Sequence, residues 1–139
     1  MSTDTLAITA HKNSIANAMA GKKAQWLELF DENAVVHDPV GTSPHDPNGV
    51  GFRGKEEIAR FWDLMIGKGN LVIAPVKRLP CGENIAAVAM TATNILDELK
   101  TYIDMVGIYE VNASGKIISL KVYWDINALR RQLAQAGAA

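Results

Sequence analysis

Apolar residues change their period once along this chain, and that change restricts the folds open to it. Up to residue 66 they recur at helical spacing. Ile8, Ile15 and Met19 share one stripe of a helix over the first twenty residues, with Ser2, Thr3 or Asp4 as N-cap and Gly21 as its end. A short second helix is expected over 23–30, and a third over 56–66, where Ile58, Phe61, Trp62 and Met65 follow i, i+3, i+4, i+7. From residue 71 onward the pattern is that of strands. Segments 71–79, 85–95, 101–111 and 117–125 are rich in β-branched and aromatic residues and are separated by turn signals. In the last of them Ile118, Leu120, Val122 and Trp124 alternate with Ser119, Lys121, Tyr123 and Asp125. Helices first and a meandering antiparallel sheet afterwards is an α+β pattern, with a closing helix expected over 127–136. A curved sheet wrapped over three helices leaves a cone between them, where a ligand would sit.

Size and charge narrow the function classes. The 139 residues suit a single domain, 1–139, with no linker or repeat dividing it. Fourteen basic against fifteen acidic side chains leave no excess for a nucleic-acid stripe or a polybasic membrane anchor. The single cysteine, Cys81, makes neither an intrachain disulfide nor a cysteine-rich zinc site. The longest apolar run, 85–90, is too short to span a bilayer, so a cytoplasmic setting is expected.

Two motif matches are better read as turns. Gly49-Val50-Gly51-Phe52-Arg53-Gly54 satisfies G-x-G-x-x-G, but it follows a Pro/Asn loop rather than a strand and lacks an acidic residue about 20 positions on. Asn112-Ala113-Ser114 matches a glycosylation sequon but sits in a hairpin turn. His37-Asp38 and His45-Asp46 contain metal-ligand types, yet adjacent strand residues face opposite ways and no third ligand is evident, so no metal or other cofactor is expected.

The residue that stands out is Asp38. It follows a short strand, 34–38 by pattern, and precedes an irregular stretch, 39–54, with three prolines and four glycines. Loops of this length are more often functional than not. By alternation Asp38 shares a face with Val36 and Ala34, and on a core face its carboxylate would project into an apolar cavity. Burial would raise its pKa and make it a better proton acceptor near neutral pH. The competing reading is an Asx-turn aspartate before proline.

These residues resemble a known family. Leu27-Glu28-Leu29-Phe30-Asp31-Glu32-Asn33-Ala34-Val35-Val36-His37-Asp38-Pro39-Val40-Gly41 is similar to the signature of ketosteroid isomerase and its relatives, as are Gly54-Lys55-Glu56-Glu57-Ile58 with Phe61, and Gly115-Lys116-Ile117-Ile118-Ser119 through Tyr123-Trp124. This is the nuclear-transport-factor-2-like superfamily, which includes the SnoaL-type polyketide cyclases. The resemblance covers the whole chain and implies a curved antiparallel sheet over three helices, usually as a homodimer. It also implies that Asp38 is a base moving a proton between two substrate carbons, that Trp124 lines the pocket, and that the base works with an oxyanion hole of a tyrosine and a protonated aspartate. Counted without gaps, those two positions fall on Ser14 and Gly107. Ser14 still offers one donor and Gly107 none, which argues against steroid isomerisation itself.

Other residues come into question as substitutes. His11, three positions before Ser14, would supply a donor or second base if it faced the pocket, although a solvent-facing histidine is the commoner case. Asp104 lies on the opposite face of its strand from Gly107 unless a bulge re-aims it. Trp62, Met65, Met105 and Tyr109 are candidate pocket lining. Tyr102, Val106 and Ile108 make the opposite sheet face too apolar for full solvation, in keeping with a sheet-to-sheet dimer. The function expected is a cofactor-free isomerase, cyclase or lyase acting with Asp38 on a small hydrophobic carbonyl compound. The alternative is a non-catalytic ligand-binding or scaffold domain. A buried, apolar Asp38 with a raised pKa favours the enzyme, and an exposed one the scaffold.

Overall fold

In a computed structural model describing residues 3–68 and 70–138, the helical half of the chain packs on one face of a six-stranded sheet. Helix α1 (Leu6–Met19) is followed by α2 (Lys23–Glu28), strand β1 (Phe30–His37), a two-residue strand β2 (Phe52–Arg53) and α3 (Gly54–Phe61). Strands β3 (Asn70–Cys81), β4 (Ile85–Leu96), β5 (Leu99–Val111) and β6 (Ile117–Tyr123) follow, and α4 (Ile126–Ala138) closes the chain. The sheet order is β2-β1-β6-β5-β4-β3. Every ladder is antiparallel except β1 with β6, which is parallel.

Local chemistry explains most boundaries. Thr5 is the N-cap of α1, its hydroxyl accepting from the Ile8 amide at 3.2 Å. Thr3 and Asp4 precede the cap, and Ser2 lies outside the described residues. Gly21, at φ +70°, ends the helix as expected. Strand β1 starts at Phe30, four residues earlier than its apolar run, because the Leu29 carbonyl and Phe30 already pair with Ile117. In β6 a register shift opposite Glu110 and Val111 breaks the alternation, so Ile117 is fully buried and Ile118 only half-buried.

The third helix changes character at Trp62. From Trp62 to Ile66 it is a π-helix, a form often found at functional positions. The core lies between this layer and the sheet. Trp26 sits at its centre, with ring centroids 4.6 Å from Phe30 and 5.2 Å from Trp62. Its burial, together with that of Phe30, Ile58 and Val36, supplies the apolar area that closes the helices onto the strands.

Candidate active site

A void of about 170 Å³ lies between the helices and the inner sheet face, and its lining is mostly apolar. An apolar cavity of roughly 150 Å³ already accommodates benzene, so one ring fits this space without rearrangement. Met65, Met90 and Met105 line it, and their flexible thioethers let the walls adapt to larger shapes. Polar side chains face the same void from several elements: Ser14 from α1, Asp38 from the end of β1, Asn94 from β4, and Thr101 and Tyr109 from β5.

Asp38 owes its position to β1. Ala34 and Val36 are completely buried, and parity carries the next residue on that face to the cavity wall just where the strand ends. The Asp38–Pro39 peptide is cis, and the Val40 amide bonds the Val122 carbonyl at 2.9 Å, fixing the turn to β6. Asp38 as a residue is half-buried because it borders the void, while its carboxyl group is enclosed by protein. One oxygen accepts the Trp124 indole N–H at 2.6 Å. Burial pushes the carboxyl up from 3.8 to about 7, against the opposing effect of the Trp124 hydrogen bond. The Asx-turn reading of Asp38 therefore gives way to a desolvated carboxylate.

The other candidates separate cleanly. Met65, Met105, Tyr109 and Trp124 line the void, as does Ser14, whose hydroxyl oxygen accepts the Trp26 indole N–H at 3.2 Å. Trp62 does not line it; its ring is spent on Trp26 in the core. His11 is not solvent-facing but completely buried, edge-on to Tyr109 with ring centroids 4.9 Å apart. Neither ring nitrogen has a hydrogen-bond partner among the described residues. Burial, then the charges of Arg78 and Lys12, lower its pKa to about 4, so it is neutral at physiological pH and stands behind Tyr109 rather than in the void. Asp104 pairs with Thr91 in an unbroken ladder and points to the outer face, where no bulge brings it back. Sequence reasoning missed Trp26, Ile73 and Leu129 as lining; Leu129 comes from α4, whose approach to β5 the sequence does not reveal.

The loop beyond Asp38 is held by its own side chains. Asp46 is buried and accepts the Val50 and Gly51 amides at 3.1 and 2.9 Å. Gly49, Gly51 and Gly54 all have positive φ, so the G-x-G-x-x-G match is a set of turn glycines. In the β5–β6 hairpin the Asn112 carboxamide oxygen accepts from Ser114 and Lys116 amides, which explains the sequon-like triplet as turn chemistry. Among the described residues no three His, Cys, Asp or Glu side chains converge as metal ligands.

The sequence matches the SnoaL-like domain family model over residues 13–120. The chain belongs to the SnoaL-like domain family. No curated protein matches the sequence. Among solved structures this SnoaL-like chain is similar to RV0760c from Mycobacterium tuberculosis, at 26% identity and a TM-score of 0.88 over 92% of this chain and 97% of that one. RV0760c is also known in complex with estradiol-17beta-hemisuccinate. The Delta 5-3-ketosteroid isomerase from Mycobacterium sp. matches at 28% identity and a TM-score of 0.84, over 89% of this chain and 96% of that one. SalBIII, an epoxide hydrolase/cyclase-like enzyme of salinomycin pyran-ring formation, matches at 23% identity, 87% and 92% coverage and a TM-score of 0.74, a likeness of fold alone. The fold is thus that of the nuclear-transport-factor-2-like superfamily, as the sequence resemblance implies.

Proposed function

We propose that this SnoaL-like protein is a cofactor-free enzyme in which Asp38 abstracts a proton next to a carbonyl of a small hydrophobic substrate, as an isomerase, cyclase or lyase. The observation that carries this reading is the enclosed Asp38 carboxyl at the wall of an apolar cavity, held by Trp124 at 2.6 Å and raised to about 7. A base of that strength is ionised in about half of the molecules at neutral pH and takes up a carbon-bound proton more readily than an exposed aspartate. The C–H pair becomes a C=C bond, the carbonyl π pair moves to oxygen, and Asp38 holds the proton for return to another carbon. No oxidant or reductant enters the balance. The steroid ligand of RV0760c and the activity of the mycobacterial isomerase support fused-ring enones as the first substrates to try.

The test is hydrogen–deuterium exchange at the α-carbon of cyclic ketones and enones in D2O, followed by NMR. Asp38→Asn is expected to lower the catalysed rate by roughly 10²- to 10⁴-fold; an unchanged rate rules the mechanism out. A second reading, ligand binding without turnover, draws on Ser14 and Gly107 at the positions where the resemblance puts oxyanion donors. It predicts saturable binding of the same compounds with no exchange by the unaltered protein. In either case we place a homodimer contact on the outer sheet face, where Tyr102, Val106 and Tyr123 are 53%, 42% and 47% exposed.

A further inference from the structure

The proposed proton abstraction leaves negative charge on the substrate oxygen, and something must stabilise it. Neither Ser14 nor Gly107 repeats the tyrosine–aspartate pair that the resemblance assigns to those positions. Position 107, however, is not simply empty. Its backbone faces inward between Val88 and Val122, and a Cβ built there would stand 2.7 Å from Met90 Cε and 3.1 Å from Tyr109 Cε1. The tyrosine ring thus uses space that any side chain at 107 would claim. Tyr109 is two residues further along β5, shares the inward face, is 3% exposed and lines the same void as Asp38 and Ser14.

We infer that Tyr109 binds the substrate's carbonyl oxygen and stabilises the enolate, taking over from β5 the donor role for which Ser14 and Gly107 are not equipped. This inference rests on Asp38 being the base. The neighbouring side chains are arranged to support such a donor. Trp26 donates to the Ser14 oxygen at 3.2 Å, which leaves the Ser14 proton free to be given onward. Ser14 lines the same void and is a hydrogen-bonding neighbour of the Tyr109 phenol that opposes its upward shift, and linked hydrogen bonds polarise one another. Burial, followed by the nearby Asp38 charge, keeps the phenol well above its ordinary pKa, so Tyr109 retains its proton and donates without ionising. His11 closes the back of the ring edge-on at 4.9 Å and is itself uncharged near neutral pH, so it holds the ring without competing for the substrate oxygen. The reaction class this favours is enolisation of a ketone whose oxygen reaches the inner end of the cavity while its α-carbon lies beside Asp38.

A phenol whose anion resembles an enolate tests the donor separately from the base. The probe is 2-naphthol, whose neutral and ionised forms differ in absorbance and fluorescence, titrated with the whole protein at pH 6 to 9. The unaltered protein is expected to bind the naphtholate form preferentially and to lower the apparent pKa of the bound probe. Tyr109→Phe keeps the ring packed on Gly107, Met90 and His11 and should weaken naphtholate binding roughly 10- to 100-fold, the size of a hydrogen bond to a charged acceptor. Asp38→Asn, which removes a negative charge beside the site, should strengthen it. Gly107→Ala, whose Cβ would crowd Met90 first and shift the Tyr109 ring by a few tenths of an ångström, provides a second variant and should weaken binding less than Tyr109→Phe does. Naphtholate binding that is unchanged in Tyr109→Phe, or no binding by the unaltered protein, overturns the role of Tyr109. The base is judged independently by deuterium exchange, so loss of exchange in Asp38→Asn together with an unaffected Tyr109→Phe would leave Asp38 standing and remove Tyr109 alone.

Discussion

Two buried titratable residues push the stability of this protein in opposite directions with pH. Asp38 is raised from 3.8 to about 7 in the folded chain. Between those values the folded state holds a proton that the unfolded chain has released, so this contribution is complete below about pH 4 and is lost as pH rises through 7. His11 is lowered from 6.5 to about 4, and its contribution is complete above 6.5 and lost as pH falls through 4. Between pH 4 and 6.5 the two cancel in sign, and a flat stability profile is expected there. Asp38→Asn removes one side of the balance while an amide oxygen can still accept from Trp124. The variant should melt at a higher temperature than the parent at pH 8, with a ceiling of about 4 kcal/mol set by three pH units, and should show no advantage at pH 4. Thermal melts across pH 4 to 9 check this; equal melting temperatures at pH 8 would mean that the buried carboxylate is not strained. The same ionisation governs the rate. Exchange by the unaltered protein should climb tenfold per pH unit below about 7 and level off above it, since the base must be unprotonated to act.

The elements around the site show which features a linear pattern can carry. Helix and strand periods located α1, α3 and β3 to β6 to within a few residues, because each has one buried face. Asp38 was legible for the same reason: parity on β1 and the following Pro-Val-Gly fix where it points. The π-helix at Trp62–Ile66 was not, since five residues are too few to distinguish its period from an α-helical one, yet its turn brings Met65 and Ile66 to the void. The parallel β1–β6 ladder was also hidden, because pairing across eighty residues leaves no local mark. Nor could the sequence bury His11, whose unpartnered nitrogens go against the usual rule for polar side chains. The loop between β1 and β2 depends on a contact that is equally invisible in one dimension. Gly51 has φ +81°, and a Cβ there would meet His37 Cε1 at 2.8 Å. Gly51→Ala is expected to cost about 1–3 kcal/mol from the backbone conformation alone, and to disturb His37, the immediate neighbour of the base. Urea denaturation gives the first effect and the exchange rate the second. A variant as stable and as active as the parent would show that the loop has slack the packing does not reveal.

At the scale of the whole molecule, one sheet face is committed to the helices and the other has no cover among the described residues. On that outer face Val72, Val76, Tyr102, Val106 and Tyr123 are between 42% and 71% exposed. Sheets with a solvated face normally alternate apolar with polar residues, so a cluster of this kind is out of place on a monomer. Where β6 stops short of the start of β5, Gln132 of α4 bonds both the Tyr102 amide and carbonyl at 2.7 Å, occupying backbone groups that β6 does not reach. The exposed apolar cluster favours a second copy that approaches face to face. Asp104 lies on this same face among Val76, Val106 and Tyr123, and its expected role is to border that contact, not to act in the cavity. Because Val106 is 42% exposed and lies opposite Ala89 and Tyr123 in the ladders, Val106→Glu would set a charge in the contact without altering the cavity wall. Sedimentation velocity at micromolar concentration should show the parent as a dimer and this variant shifted to monomer, with naphthol binding retained. A parent that sediments as a monomer would refute the face-to-face contact, and a variant that loses the dimer and the ligand together would show that assembly shapes the cavity.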